Sequence, residues 1–147
     1  MQTEGVMQIV RNVLQDKNEL YWIAPEQPVL AAIQMMADRF VGALLVMQQD
    51  KLVGIVSERD YARKIILKGR SSAETPVREI MTTQVLTVTP TDTVHRCMRL
   101  MTDKHIRHLP VLDEGKVVGM LSIGDLVKAV IDDQAEQLEQ LQRYIAG

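Results

Sequence analysis

Serine and aspartate recur at one spacing in two places along this chain of 147 residues. Gly54-Ile55-Val56-Ser57-Glu58-Arg59-Asp60 and Gly119-Met120-Leu121-Ser122-Ile123-Gly124-Asp125 each run from an apolar, β-rich stretch through Ser into a helix start. Ser-x-x-Asp can close a helix N-terminus, the hydroxyl accepting from a backbone amide and the carboxylate complementing the helix dipole. The same turn can instead offer a phosphate the free amides of the helix, while its carboxylate accepts hydrogen bonds from two ribose hydroxyls. Both readings stand for Ser57, Asp60, Ser122 and Asp125. Arg59 adds a cation to the first copy where the second has Gly124, so the two turns are not expected to be equivalent.

A second constellation is Arg107-His108-Leu109-Pro110, matched in the first copy by Gly42-Ala43-Leu44-Leu45. Basic residues at the start of an apolar strand need an anion or a carboxylate partner. The planar fork of Arg107 suits a phosphate or a surface ion pair equally. His108 reads either as a neutral, satisfied histidine or as a phosphate contact. Arg59, Arg63, Lys64, Lys68 and Arg70 form a basic cluster, of which Lys68 and Arg70 read as a solvated helix face. His95 and His105 lack metal-pair spacing, and Cys97 reads as a small core residue. No nucleophile elbow, Walker loop or dinucleotide glycine motif is present, so neither catalytic nor metal-binding residues are expected.

Composition narrows the field further. With 46% hydrophobic and 24% charged residues, the chain is that of a folded globular protein. A net charge of −2 argues against a nucleic-acid-binding protein, and the five aromatics are too few for base-stacking platforms. One cysteine fits a reducing compartment. No signal-like start or apolar run long enough for a membrane helix is seen, which points to the cytoplasm.

The elements that must position these residues form an internal repeat. Pro25 and Pro90 lie 65 residues apart in similar settings, and the same offset pairs Val29 with Val94, Met36 with Met101, Leu44 with Leu109, Gly54 with Gly119 and Asp60 with Asp125. Upstream, Val10-Arg11-Asn12-Val13-Leu14 resembles Val77-Arg78-Glu79-Ile80-Met81 at an offset of 67. Val29, Ile33, Met36 and Phe40 predict an amphipathic helix, repeated by Val94, Met98 and Met101, with Pro28 and Thr91-Asp92 as start signals. Two short strands around a polar turn follow in each copy, then a second helix from Glu58 to Lys68 and again from Ile123. Units of roughly 50 to 60 residues are marginal alone, so the two copies are expected to pack face to face.

Val-x-Pro before the first helix, Leu-Pro-Val on a strand and Val-Val-Gly-Met-Leu-Ser-Ile-Gly-Asp together resemble the cystathionine β-synthase (CBS) domain. About residues 10 to 132 carry the likeness to a stand-alone tandem pair. It implies an α/β fold of two βαββα repeats packed with pseudo-two-fold symmetry, a disc-like homodimer, and adenosine-containing ligands in clefts between the repeats. Asp60 and Asp125 match the family's ribose-binding aspartates, and Ser57 and Ser122 the hydroxyl residues beside the phosphate. Arg107 and His108, next to Pro110, stand where relatives place basic groups against phosphate; Gly42 and Ala43 offer backbone and space. Tyr21, Ile23, Leu86 and Val88 match the strands that sandwich adenine. The expected ligand is AMP or a related adenine nucleotide, with no cofactor required.

The organisation expected is a first repeat with its N-terminal helix over 1–68, a linker over 69–76, a second repeat over 77–132 and a C-terminal helix over 133–147. Leu138, Leu141 and Ile145 form a narrow apolar seam on that last helix. It either packs on the N-terminal helix around Val6, Val10 and Val13 or docks a protein partner. The alternative function is therefore a ligand-independent dimerisation or interaction module.

Overall fold

The 65-residue offset is reproduced element by element in the computed structural model, which describes residues 8–15, 17 and 19–146. A short helix, α1 (Val10–Leu14), precedes a two-residue strand, β1 (Trp22–Ile23), and helix α2 (Val29–Arg39). Strands β2 (Ala43–Gln48) and β3 (Lys51–Ser57) lead into α3 (Glu58–Tyr61), which continues as a π-helical turn over Ala62–Ile66. A 3₁₀ turn, Val77–Glu79, opens the second copy, followed by α4 (Val94–Lys104), β4 (His108–Asp113), β5 (Lys116–Ser122) and α5 (Ile123–Ala146). The chain is thus of mixed α/β class.

Local chemistry explains the match. Val29, Ala32 and Met36 bury one stripe of α2, and Val94, Cys97 and Met101 bury the same stripe of α4. The stripe follows i, i+3, i+7, so Ile33 and Met98 lie at its margin. Phe40, expected on it, is instead the left-handed C-cap of α2 and 95% exposed; its counterpart His105 has the same φ of 56°. The side chain capping α4 is Thr93, whose hydroxyl accepts from the Arg96 amide, rather than Thr91 or Asp92. β4 turns into β5 through Glu114-Gly115, both at positive φ, and Gln49-Asp50 makes the same turn between β2 and β3 without a glycine. Burial, reinforced by Asp92 and opposed by Arg96, pushes the Cys97 thiol up to about 11, as suits an inert core residue.

The described residues divide into two compact units, and each draws on both copies: one holds 8–15, 17, 87–114 and 119–146, the other 19–86 and 115–118. In the first, Val10 and Arg11 donate backbone bonds to Asp92 and Pro90, and Val94 donates back to Gln8. In the second, Val77 and Arg78 donate to Gln27 and Pro25, and Val29 donates back to Thr75. The lead-in segment of each copy therefore packs on the body of the other copy. Val10 joins Val88, Val94, Leu109, Val111, Leu121 and Leu126 in one core, while Val77 and Ile80 join Ile23, Val29, Leu44, Val46 and Val56 in the other.

In the unit with the first copy's body, β1 pairs parallel with β2, and β2 antiparallel with β3. The parallel bridge Val88–Val111 in the other unit repeats Ile23–Val46 at the common offset. α5 runs unbroken from the Ser-x-x-Asp turn to Ala146. Its Leu126 and Ala129 lie in the core with Val10, whereas Leu138, Leu141 and Ile145 are 56%, 53% and 74% exposed. α1 thus packs on the first turns of α5 and leaves the seam exposed; Val6 lies outside the described residues. No helix among the described residues is long and apolar enough to cross a membrane.

Candidate functional site

Each Ser-x-x-Asp turn forms where a strand ends and a helix begins, and the backbone before the neighbouring strand fixes it. The Glu58 amide donates to the Gly42 carbonyl at 3.0 Å, and Ile123 donates to Arg107 at 2.9 Å. Ser57 caps α3: its Oγ accepts from the Asp60 amide at 3.2 Å, and Asp60 Oδ2 accepts from the Ser57 amide and hydroxyl, both at 3.0 Å. Ser122 and Asp125 repeat this at 3.1 and 2.8 Å. The capping box is therefore present at both turns, and it holds each carboxylate in one orientation.

A cation faces each carboxylate, and it comes from a different place in each unit. Lys64 sits one helical turn beyond Asp60, its Nζ 3.1 Å from Asp60 Oδ1 and donating to the Ile80 carbonyl at 2.8 Å. Asp60 itself is only 8% exposed. Lys64 belongs to the basic cluster read from sequence, and its i,i+4 spacing from Asp60 is the signal that singles it out. At Asp125 the cation is Lys17, from the lead-in segment, with Nζ 2.6 Å from Oδ2 and 2.8 Å from the Met120 carbonyl. Nothing in the motif points to Lys17, because the contact spans 108 residues of sequence.

Electrostatics around Asp125 follow from this pair. Burial alone would raise its carboxyl, but the Lys17 hydrogen bond, the bonds from Ser122 and the Lys17 charge outweigh burial and hold it below its ordinary value. His108, half-buried at the start of β4, is held down to about 4 by burial first, then by Lys17 and Arg107 against the opposing pull of Asp125. It is therefore neutral at physiological pH and offers hydrogen bonds rather than charge. Arg107 is exposed, and so is Arg59.

The remaining candidates fall into distinct settings. Ala43, Ile23 and Val88 are buried, the last two as core residues on the parallel β bridges; Pro110 is buried and its carbonyl accepts from Val88. Leu86 is exposed and Gly42 half-buried. Tyr21 borders a cavity of about 490 Å³ between the start of β1 and α2, with Trp22, Met35, Asp38 and Arg39. The Arg39 guanidinium lies 5.3 Å from the Tyr21 ring centroid. Neither Ser57 nor Asp60 lines that cavity, so Tyr21 opens on a space apart from the first turn.

The family model for the CBS domain matches residues 10–67 and 77–132. The chain is 47% identical over 131 residues to the mitochondrial CBS domain-containing protein CBSX3 of Arabidopsis thaliana, an alignment covering 86% of this chain and 64% of that protein. It resembles the solved structure of a protein with CBS domains from Burkholderia ambifaria MC40-6, with TM-score 0.84 and 49% identity over 86% of this chain and 96% of that one. It also resembles CBSX2, solved in complex with AMP, with TM-score 0.71 and 26% identity over 86% of this chain and 98% of that one.

Proposed function

The chain belongs to the CBS domain family, and we propose that it is a regulatory module that binds an adenosine-containing nucleotide at its Ser-x-x-Asp turns and signals by changing conformation. The observation that carries this reading is the same at both turns: a carboxylate oriented by its own N-cap, with a cation beside it at 2.6 Å for Asp125 and 3.1 Å for Asp60. An oriented carboxylate accepts from a ribose diol, and the helix amides and neighbouring basic groups suit a phosphate. AMP stands first because the similar CBSX2 was solved with it; ADP, ATP and NAD(H) share the same recognisable part.

In this reading the protein is a non-catalytic, cytoplasmic homodimer, and a partner protein that discriminates its liganded from its free conformation receives the signal. Isothermal titration with AMP, ADP, ATP, NAD and S-adenosylmethionine tests it. Binding of at least one that weakens on changing Asp60 or Asp125 supports the proposal, and no heat with any at millimolar concentration overturns it. The exposed seam of Leu138, Leu141 and Ile145 favours the alternative, an interaction module independent of ligand. Self-association lost on deleting residues 134–147, in a protein that binds none of these nucleotides, would decide for it.

A further inference from the structure

We propose that Lys17, which belongs to neither Ser-x-x-Asp motif, makes the Asp125 turn selective for adenosine ligands that carry an anionic 5′ group over neutral or cationic ones. The proposal rests on the reading that Asp125 receives a ribose.

The two turns share the Ser-x-x-Asp capping box and differ in the source of the cation beside it. Lys64 stands beside Asp60 on the same helix, and the residue at its place in the second copy is Ala129, which is buried and carries no charge. Lys17 fills that electrostatic role from outside the copy, and its own counterpart at the 67-residue offset is the neutral Gln84. Lys64 stays tied by helix geometry and the Ile80 carbonyl. Lys17 has no such helical tether and is held by Asp125 and the Met120 carbonyl.

Hydrogen-bond supply then decides what fits. Asp125 Oδ2 already accepts from the Ser122 amide and from the Lys17 ammonium. A ribose diol brings two further donors and no charge, so it shares the carboxylate with the ammonium or displaces it. Lys17 is exposed, and its ammonium, sharing or losing the carboxylate, is best matched by a ligand that brings an anion of its own. Lys17 and Arg107 both act on His108 against Asp125, so these three groups carry a surplus of positive charge before any ligand arrives. A 5′-phosphate supplies the missing anion and charge-assisted acceptors. A neutral nucleoside leaves the surplus in place, and a sulfonium adds to it.

Titration of AMP and adenosine into the full-length Asp60→Ala protein, which isolates the Asp125 turn, reads the effect directly. AMP is expected to bind about tenfold or more tightly than adenosine, the worth of one charge-assisted contact. Lys17→Met should bring the two within about threefold, and Lys17→Arg should retain most of the preference. An AMP-to-adenosine ratio unchanged by Lys17→Met overturns the proposal while leaving nucleotide binding intact. Equal tightening of both ligands also overturns it, since Lys17 would then only compete. Absence of binding to every variant, with wild-type protein silent too, would instead reject the nucleotide reading and this proposal with it. Thermal midpoints within a few degrees of the parent establish that the variants are folded.

Discussion

Leu14 lies so close over Gly119 that a Cβ at that glycine would meet Leu14 Cδ2 at 2.8 Å. Met81, the residue matching Leu14 at the 67-residue offset, stands the same way over Gly54, with a Cβ there 2.8 Å from both Met81 Sδ and the Thr82 carbonyl. The glycine heading each Ser-x-x-Asp motif is thus where the exchanged lead-in segment crosses β3 or β5. Its missing side chain lets that segment approach, and at Gly119 the same segment carries Lys17 towards Asp125.

Gly54→Ala should destabilise the protein more than Gly119→Ala. At Gly54 the obstruction includes backbone, which bonds Ile55 in both directions through Thr82, whereas at Gly119 it is the end of a flexible leucine side chain. Overpacking of this kind costs about 1–3 kcal/mol. Urea unfolding of both variants should place Gly54→Ala at the upper end and Gly119→Ala at or below the lower. The reverse order would mean that the lead-in segment over Gly54 yields more readily than its bonding indicates.

The repeat was legible because it lives in side-chain types at a constant offset, and α2, β2, β3 and the Ser-x-x-Asp turns reappear at that offset residue for residue. The exchange of lead-in segments was not. Likeness between Val10-Arg11 and Val77-Arg78 says that they are equivalent, not which copy's body receives each. Lys17 was hidden for the same reason, since its partner is chosen by the path of the chain and not by spacing. Phe40 keeps the apolar register of α2 but is itself the residue at which the backbone turns left-handed, one step past the helix, so its side chain leaves the stripe.

Acid should weaken the unit that contains His108 in two stages. The folded-state pKa of His108 is about 4 against an ordinary 6.5, so between those values the unfolded chain binds a proton that the folded chain refuses. Its stabilising contribution is complete above about 6.5 and is lost as pH falls towards 4, a change on the order of 2 kcal/mol. Asp125, held below its ordinary 3.8, adds a second loss at still lower pH. Urea midpoints of wild type and His108→Asn between pH 7.5 and 4 check the first stage. The variant should show a shallower fall, and parallel curves would exclude His108 as the cause.

Asp125→Ala separates the capping role of this carboxylate from its proposed ligand role. The substitution removes the bond to the Ser122 amide and the partner of Lys17. Loss of a capping interaction costs about 1 kcal/mol, and a partly exposed ion pair contributes less than that. The thermal midpoint should fall by only a few degrees, while AMP binding in the Asp60→Ala background should drop by about tenfold or more. Gross unfolding would show that the turn is held by Asp125 to a degree its bonds do not account for.

Leu138 and Leu141 should be replaceable by Glu with little effect on folding. Both are more than half exposed, and the core side of α5 is made by Leu126 and Ala129 instead. Little buried apolar area is therefore lost, and surface changes away from core, cap and ion pairs stay within about 0.5 kcal/mol. Like charges would gather at this end of the helix, because Glu136 and Glu139 are close by, while the Glu139–Arg143 pair offsets only part of them. A modest loss of helicity beyond residue 134 by circular dichroism is consistent with that repulsion. A loss of several kcal/mol would instead mean that the seam is covered in the folded protein, and sedimentation of wild type against the double variant would then tell whether a second copy covers it.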